Sequence, residues 1–204
     1  METILATIIN NLGWIIPLAL VLLVASFAIT VRNNLVRLTN IYKTAFSNLE
    51  TELTRRFDLI PNLVAATKGY LDHEKGVFVE VTEARNQASK QLNAVKNDLG
   101  NADLMGLMSK AEGALSGALG RLMAVVEAYP DLKADARMAE LTLELANTEN
   151  QIATLRKHYN FTIEEYNTYR QIFPNNIFSG LFGYQFAAWL PMEEHKREVP
   201  KVEF

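Results

Sequence analysis

The sequence predicts an all-α chain: an N-terminal transmembrane helix followed by a long antiparallel helical bundle of three to four helices. Three observations carry this. Twenty residues, Leu12 to Val31, pass without a charge; apolar residues recur at steps of three and four through most of the remainder; and glycine (10) and proline (6) are few and scattered. Long uninterrupted helices are therefore open to the chain, and its abundance of Ala, Leu, Glu and Lys favours them. The reading divides the 204 residues into an anchor (1–31), a bundle (32–173) and a tail (174–204) that is aromatic-rich and then mixed in charge.

Twenty residues span about 30 Å as a helix, the thickness of a bilayer core. A run apolar on every face suits lipid better than a bundle core. A cleaved signal peptide is disfavoured, because the apolar run is long, no basic region precedes it and no A-x-A site follows. Trp14 and Arg32 stand where interfacial anchors are expected. Arg32, Arg37 and Lys43 follow the segment, which places the N-terminus outside and the body in the cytoplasm by the positive-inside rule.

In the first bundle segment, Leu35, Leu38, Tyr42, Ala45, Leu49, Leu53, Phe57, Ile60 and Val64 keep helical spacing, and the pattern continues loosely through Tyr70, Val77, Val81, Ala84 and Ala88 to Leu92. "RRFDLIPNLV" interrupts it. Either Asp58 caps a new helix with Pro61 in its first turn, giving four antiparallel helices and a tail returned to the membrane, or Pro61 kinks one continuous helix. The kink leaves three long helices and a tail far from the anchor. It is favoured, since "DLIPN" has no glycine and its neighbours ask to be buried.

Gly100 is expected to close the following helix and Asn101 or Asp103 to cap the next, from about 104 to 128. There Gly113, Gly117 and Gly120 make small-xxx-small spacings. Tight packing within the bundle is the favoured explanation and self-association the lesser one. "AYPDLKAD" turns the chain. The final helix carries an unbroken heptad stripe: Met138, Leu141, Leu145, Thr148, Ile152, Leu155, Tyr159, Thr162, Tyr166, Tyr169, Phe173. Beyond it, Ile172 to Met192 has no charge but six aromatics, with Pro174, Gly180 and Gly183 against a spanning helix. Phe178, Phe182 and Trp189 then either cap the bundle end, the favoured reading, or lie among lipid headgroups. The last residues are expected to be mobile.

Catalytic motifs are missing. Zero cysteine excludes disulfides, thiolate metal sites and a cysteine nucleophile. His73, His158 and His195 do not make the Glu-x-x-His pairs of a di-iron bundle, His73-Glu74 lacks a second histidine for zinc, and no P-loop, GxSxG or GxGxxG is present. No catalytic, cofactor or metal residues are assigned and the chain is not expected to be an enzyme. A net charge of −3 argues against nucleic-acid binding. Polar residues on the apolar faces are expected to pair across the bundle.

The segments "RRFDLIPNLVAATKGYLDHEKGVFVEVTEAR", "GALGRLMAVVEAYPDLKA", "ELANTENQIATLRKHYNFTIEEYNTYRQIFPNNIFSGLFGY" and the ending "VPKVEF" together resemble the bacterial LemA family. The resemblance implies an N-terminal anchor in the bacterial inner membrane, an antiparallel helical bundle and no established cofactor. It emphasises Arg56, Asp58, Pro61, Asn62, Glu74, Arg85, Glu149, Arg156, Tyr159, Asn160 and Asn167 as candidates for an architectural polar network. Expected partners are membrane lipid, further copies of the chain and a membrane protein. The leading expectation is a self-associating scaffold that organises or shapes the membrane; the alternative is an accessory subunit for a membrane protease or signalling protein.

Overall fold

A computed structural model describes residues 1–68 and 74–191, with the side chains of 2–12 excepted. His73, Tyr70, His195 and the mixed-charge ending lie outside the described residues. Among those described there are six helices: α1 (Glu2–Lys68), α2 (Lys75–Val95), α3 (Ala102–Ala128), α4 (Pro130–Lys133), α5 (Ala136–Gln171) and α6 (Asn175–Leu181).

The chain forms two compact units, one of residues 1–40 and 165–185, the other of 41–164 and 186–204. In the second, α1 from Ile41, α2, α3 and α5 to Glu164 run antiparallel in sequence. Partners of α1 recede along α2 as α1 advances: Glu50 pairs with Lys96, and the Phe57 carbonyl with Arg85. The same holds on α5, where Phe46 meets the Tyr159 ring at 5.5 Å and Arg56 meets Glu149. α2 packs along α3, and Arg121 Nε donates to Glu80 Oε2 at 2.9 Å.

Local chemistry sets the helix ends. Asn101, not Asp103, caps α3, its Oδ1 accepting from the amides of Asp103 and Leu104 at 3.1 Å. Pro130 opens α4, where its missing N–H costs nothing, and Asp135 Oδ1 accepts from Met138 N at 2.9 Å at the start of α5. α2 is closed by Lys96, four residues before Gly100. A Cβ at Gly100 would stand 3.3 Å from the Phe186 carbonyl, so Gly100 serves the close passage of the C-terminal segment instead.

α1 continues through Pro61, as the kink reading requires, yet the bundle has four long helices because α1 ends at Lys68 and a separate helix, α2, starts at Lys75. The three-helix count is thereby corrected. Helical periodicity carries on across the break since both helices bury a stripe against one core. Proline still deprives the Phe57 carbonyl of its usual intrahelical donor, and Arg85 Nε, reaching from α2, donates to that oxygen at 3.1 Å. Arg85→Met is accordingly expected to cost about 1–2 kcal/mol in the wild type and much less in a Pro61→Ala background, where an N–H is restored to the Phe57 carbonyl. Chemical denaturation of the four-member cycle measures this; equal losses in both backgrounds would refute the link.

In the first unit, α1 changes character along its length. Residues 13–26 are exposed, whereas Val31 and Leu35 are 0 % exposed and Leu38 is buried. α1 contains one stretch long and apolar enough to cross a membrane, with 6 % of its apolar window buried. Asn34 Nδ2 donates to Tyr169 Oη at 3.0 Å on α5, and Phe178 of α6 packs on Phe27 with ring centroids 5.6 Å apart. The α6 part of the tail thus lies beside the apolar end of α1, contrary to the placement that three helices would have given it. The α5 stripe holds from Met138 to Tyr169, but Phe173 falls beyond the helix and is 80 % exposed.

Candidate functional site

Two polar constructions stand out, both in the second unit. The first is a buried ion cluster. Arg56 occupies the inward face of α1 among Leu49, Leu53, Ile60 and Leu63, and is itself buried. Its Nη2 pairs directly with Glu112 of α3, which is 0 % exposed, and its Nη1 donates to Glu149 Oε1 of α5 at 2.8 Å. Arg156, two turns beyond Glu149, is buried and also acts electrostatically on Glu112. Two cations and two anions balance, and α1, α3 and α5 are tied at one level.

Burial works against both charges. It lowers the pKa of Arg56, but the carboxylates of Glu112 and Glu149 outweigh this and leave it raised. Burial pushes Glu112 up, against the pull of Arg56. Among the described residues Arg56 Nε and Glu112 Oε1 lack hydrogen-bond partners, so the cluster is costly to form and costlier to break. A guanidinium that keeps its proton beside a carboxylate it neutralises offers neither a nucleophile nor a working acid. What the arrangement does physically is fix helix register.

The second construction is a clasp. After Gly183, whose φ of +73° suits glycine, the chain returns without regular structure, and side chains grip its backbone. Asn160 of α5 grips Leu190 twice: Nδ2 donates to the carbonyl at 2.9 Å and Oδ1 accepts from the amide at 2.9 Å. Tyr159 Oη donates to Ala188 O at 3.0 Å, and Ser109 Oγ to Pro191 O at 3.1 Å. Ala188 N donates to Leu99 O at 3.1 Å. Tyr159 is fully buried, and burial first, then Tyr42, pushes its pKa up, so its hydroxyl stays a donor. In the first unit, Tyr166 Oη and Arg170 Nε hold the carbonyls of Gln185 and Tyr184 in the same manner.

The candidate polar residues therefore part into several groups. Arg56, Glu149 and Arg156 meet in the ion cluster, and Asn160 belongs to the clasp. Arg85 serves the Phe57 carbonyl, with Asp58, mostly exposed, 4.0 Å from its Nη2. Asn62 and Pro61 are exposed on α1, Glu74 stands at the N-terminus of α2, and Asn167 is buried in the first unit. One connected network is not what they make. Of the interface candidates, Trp14 and Arg32 are exposed, Phe178 is half-buried, and Phe182 and Trp189 are 36 % and 49 % exposed.

Glu112 is absent from the residues the motifs single out, although a signal for it exists. Met105, Met108, Glu112, Leu115, Leu119, Leu122 and Val126 step by three and four along α3, and all are buried. Glu112 is the charged member of that core stripe. The glycines lie elsewhere on α3: a Cβ at Gly106 or Gly120 would meet nothing within 4 Å, and one at Gly117 only the tip of Arg121. At these three positions, tight packing within the bundle is not the reason for glycine.

A cleft of about 650 Å³ opens between the end of α1 and the start of α2, lined by Val64, Lys68, Lys75, Phe78, Val79 and Thr82 among others. Among the described residues no group of His, Asp and Glu is placed to hold a metal ion.

The chain is similar to the magnetosome proteins MamQ 2 and MamQ 1 of Paramagnetospirillum magneticum, 28 % identical to each over 158 residues, which is 70 % of this chain and 58 % of theirs. It is 29 % identical to the magnetosome protein MamQ of Magnetospirillum gryphiswaldense over 59 % of this chain and 50 % of that one. The chain thus spans half or a little more of the length of these curated relatives. The LemA family model matches residues 45–204, taking in the ion cluster, the clasp and α6, and the chain belongs to the LemA family.

Proposed function

We propose that this protein is a membrane-anchored helical scaffold that self-associates through the small-residue side of α3 and organises the membrane holding it. The carrying observation is the open space over Gly106 and Gly120 and, but for the Arg121 tip, over Gly117. Each glycine in a helix interior costs about 1 kcal/mol relative to alanine. Among the described residues that cost has no return, and a close-approaching second helix supplies one. The exposed apolar stretch of α1 supports anchorage, with the N-terminus outside and the helical body in the bacterial cytoplasm by the charges at Arg32, Arg37 and Lys43. The likeness to magnetosome proteins agrees with work at a membrane.

Native mass measurement of the full-length protein extracted in detergent is expected to show an oligomer. Gly120→Leu should dissociate it while leaving helicity and unfolding midpoint near wild type, because the new side chain meets open space within its own chain. A wild type that stays monomeric at every concentration would remove the self-association claim. An oligomer indifferent to Gly106→Leu, Gly117→Leu and Gly120→Leu would move the interface off α3.

A further inference from the structure

We infer that α6 is a second membrane contact, a short interfacial foot that seats its apolar face at the boundary between lipid headgroups and acyl chains. The inference rests on α1 crossing the membrane, and it adds a lipid-binding surface elsewhere in the chain. Ile172, Phe173, Ile177 and Leu181 are 50 %, 80 %, 57 % and 76 % exposed. Four large exposed apolar side chains within ten residues, with no charge between Ile172 and Met192, make exposed apolar surface of the kind that marks a lipid or protein contact. Capping within the chain does not account for them.

Lipid is the occupant because of where the patch is attached. The Phe178 ring packs tilted on that of Phe27, and Phe182 follows it with centroids 6.4 Å apart. Phe27 lies four residues inside the end of the uncharged run at Val31. At 1.5 Å per residue that sets the contact about 6 Å within the apolar zone. Interfacial helices sit about 5–10 Å into the headgroup and acyl boundary, so the depth agrees. α1 supports this level: residues 29 and 30 are exposed beside buried Val31, and Arg32 and Asn33 follow as polar, exposed residues.

The attachment is built rather than incidental. Asn175 is buried and its Nδ2 donates to Tyr169 O at 3.0 Å, while Ser179 Oγ lies 3.1 Å from the carbonyls of Arg170 and Asn176. These polar side chains face the protein and leave the apolar ones outward. Seven residues cannot span a bilayer but suffice to lie on one. A foot beside the anchor restrains its tilt and rotation, which one helix alone leaves free.

The test uses the full chain in lipid vesicles with both tryptophans replaced (Trp14→Phe, Trp189→Phe) and one reporter added: Phe173→Trp for the foot or Leu20→Trp for the anchor. Both host positions are exposed, so the fold is not at stake. Lipids brominated high on the acyl chain should quench the F173W emission more strongly than lipids brominated near the chain end, and the L20W emission should show the reverse order. Further replacement of Leu181 and Ile177 by Glu should abolish the F173W quenching and spare that of L20W. Quenching of L20W without quenching of F173W overturns the foot and leaves the anchor standing. Blue-shifted but unquenched F173W emission also overturns it, since a second copy or another protein then covers α6. Quenching of neither reporter removes the anchor itself, and the foot with it.

Discussion

Arg56→Ala is expected to destabilise the bundle by about 3–5 kcal/mol, a large share of the stability typical of a native domain. The cost comes less from the missing guanidinium than from the carboxylate that stays behind. Glu112 is fully buried, one of its oxygens already lacks a hydrogen-bond partner, and without Arg56 its remaining counter-charge is Arg156. Removing both buried partners for apolar residues, Arg56→Met with Glu112→Leu, should recover most of the stability, because no uncompensated charge remains. Denaturant unfolding of the two single variants and the double would show this as a large coupling energy. A double variant as unstable as the sum of the singles would mean that packing, not charge, holds this level.

The sign of the pH dependence follows from Glu112. Burial raises its folded-state pKa above the unfolded value, so over the interval between the two the folded chain binds more protons than the unfolded one. The contribution of this group to stability is greatest in acid and declines as pH rises from the ordinary carboxylate range through the folded value. Taking away Arg56 removes the charge that restrains the shift. The Arg56→Ala penalty should therefore be smaller at about pH 5 than at about pH 8. Glu112→Gln should flatten the wild-type dependence. An Arg56→Ala penalty that grows in acid would contradict a buried, charge-compensated Glu112.

How far the sequence reveals this molecule depends on the kind of order involved. The long apolar N-terminal helix, the α5 stripe, the Asn101 cap and the Pro130 turn each leave a local signature of period, cap or breaker, and are readable. The reversal between Lys68 and Lys75 is not, because apolar spacing on either side serves the same core and reports no change of direction. Arg56 is visible as a charge within an apolar stripe. Glu112 obeys the same rule, but the neighbouring glycines mark another side of α3, and their spacing alone does not tell whether that side is packed or open. The clasp has no period at all. Asn160 and Tyr159 bind backbone atoms of Leu190 and Ala188, about thirty residues away, and any residue there presents the same amide and carbonyl.

That backbone grip makes Asn160 the other position of large expected effect. Asn160→Ala leaves the amide and carbonyl of Leu190, a residue 0 % exposed, without partners on a segment packed against the bundle. Two unsatisfied groups at about 1–2 kcal/mol each predict a loss of about 2–4 kcal/mol. Tyr159→Phe leaves the Ala188 carbonyl alone and should cost about half as much. The effect is local before it is global: residues 186–191 should detach while the helices persist. Amide exchange of Leu190 is the decisive reading, slow in the wild type and accelerated in Asn160→Ala well beyond exchange in α3 or α5. Asn160→Asp keeps an acceptor for the Leu190 amide but turns an oxygen towards its carbonyl, so it should retain that amide's protection only in part. If Leu190 remains protected in Asn160→Ala, the segment is held by the burial of Ala187, Ala188 and Leu190 instead, and the conspicuous YN pair of α5 serves something other than this clasp.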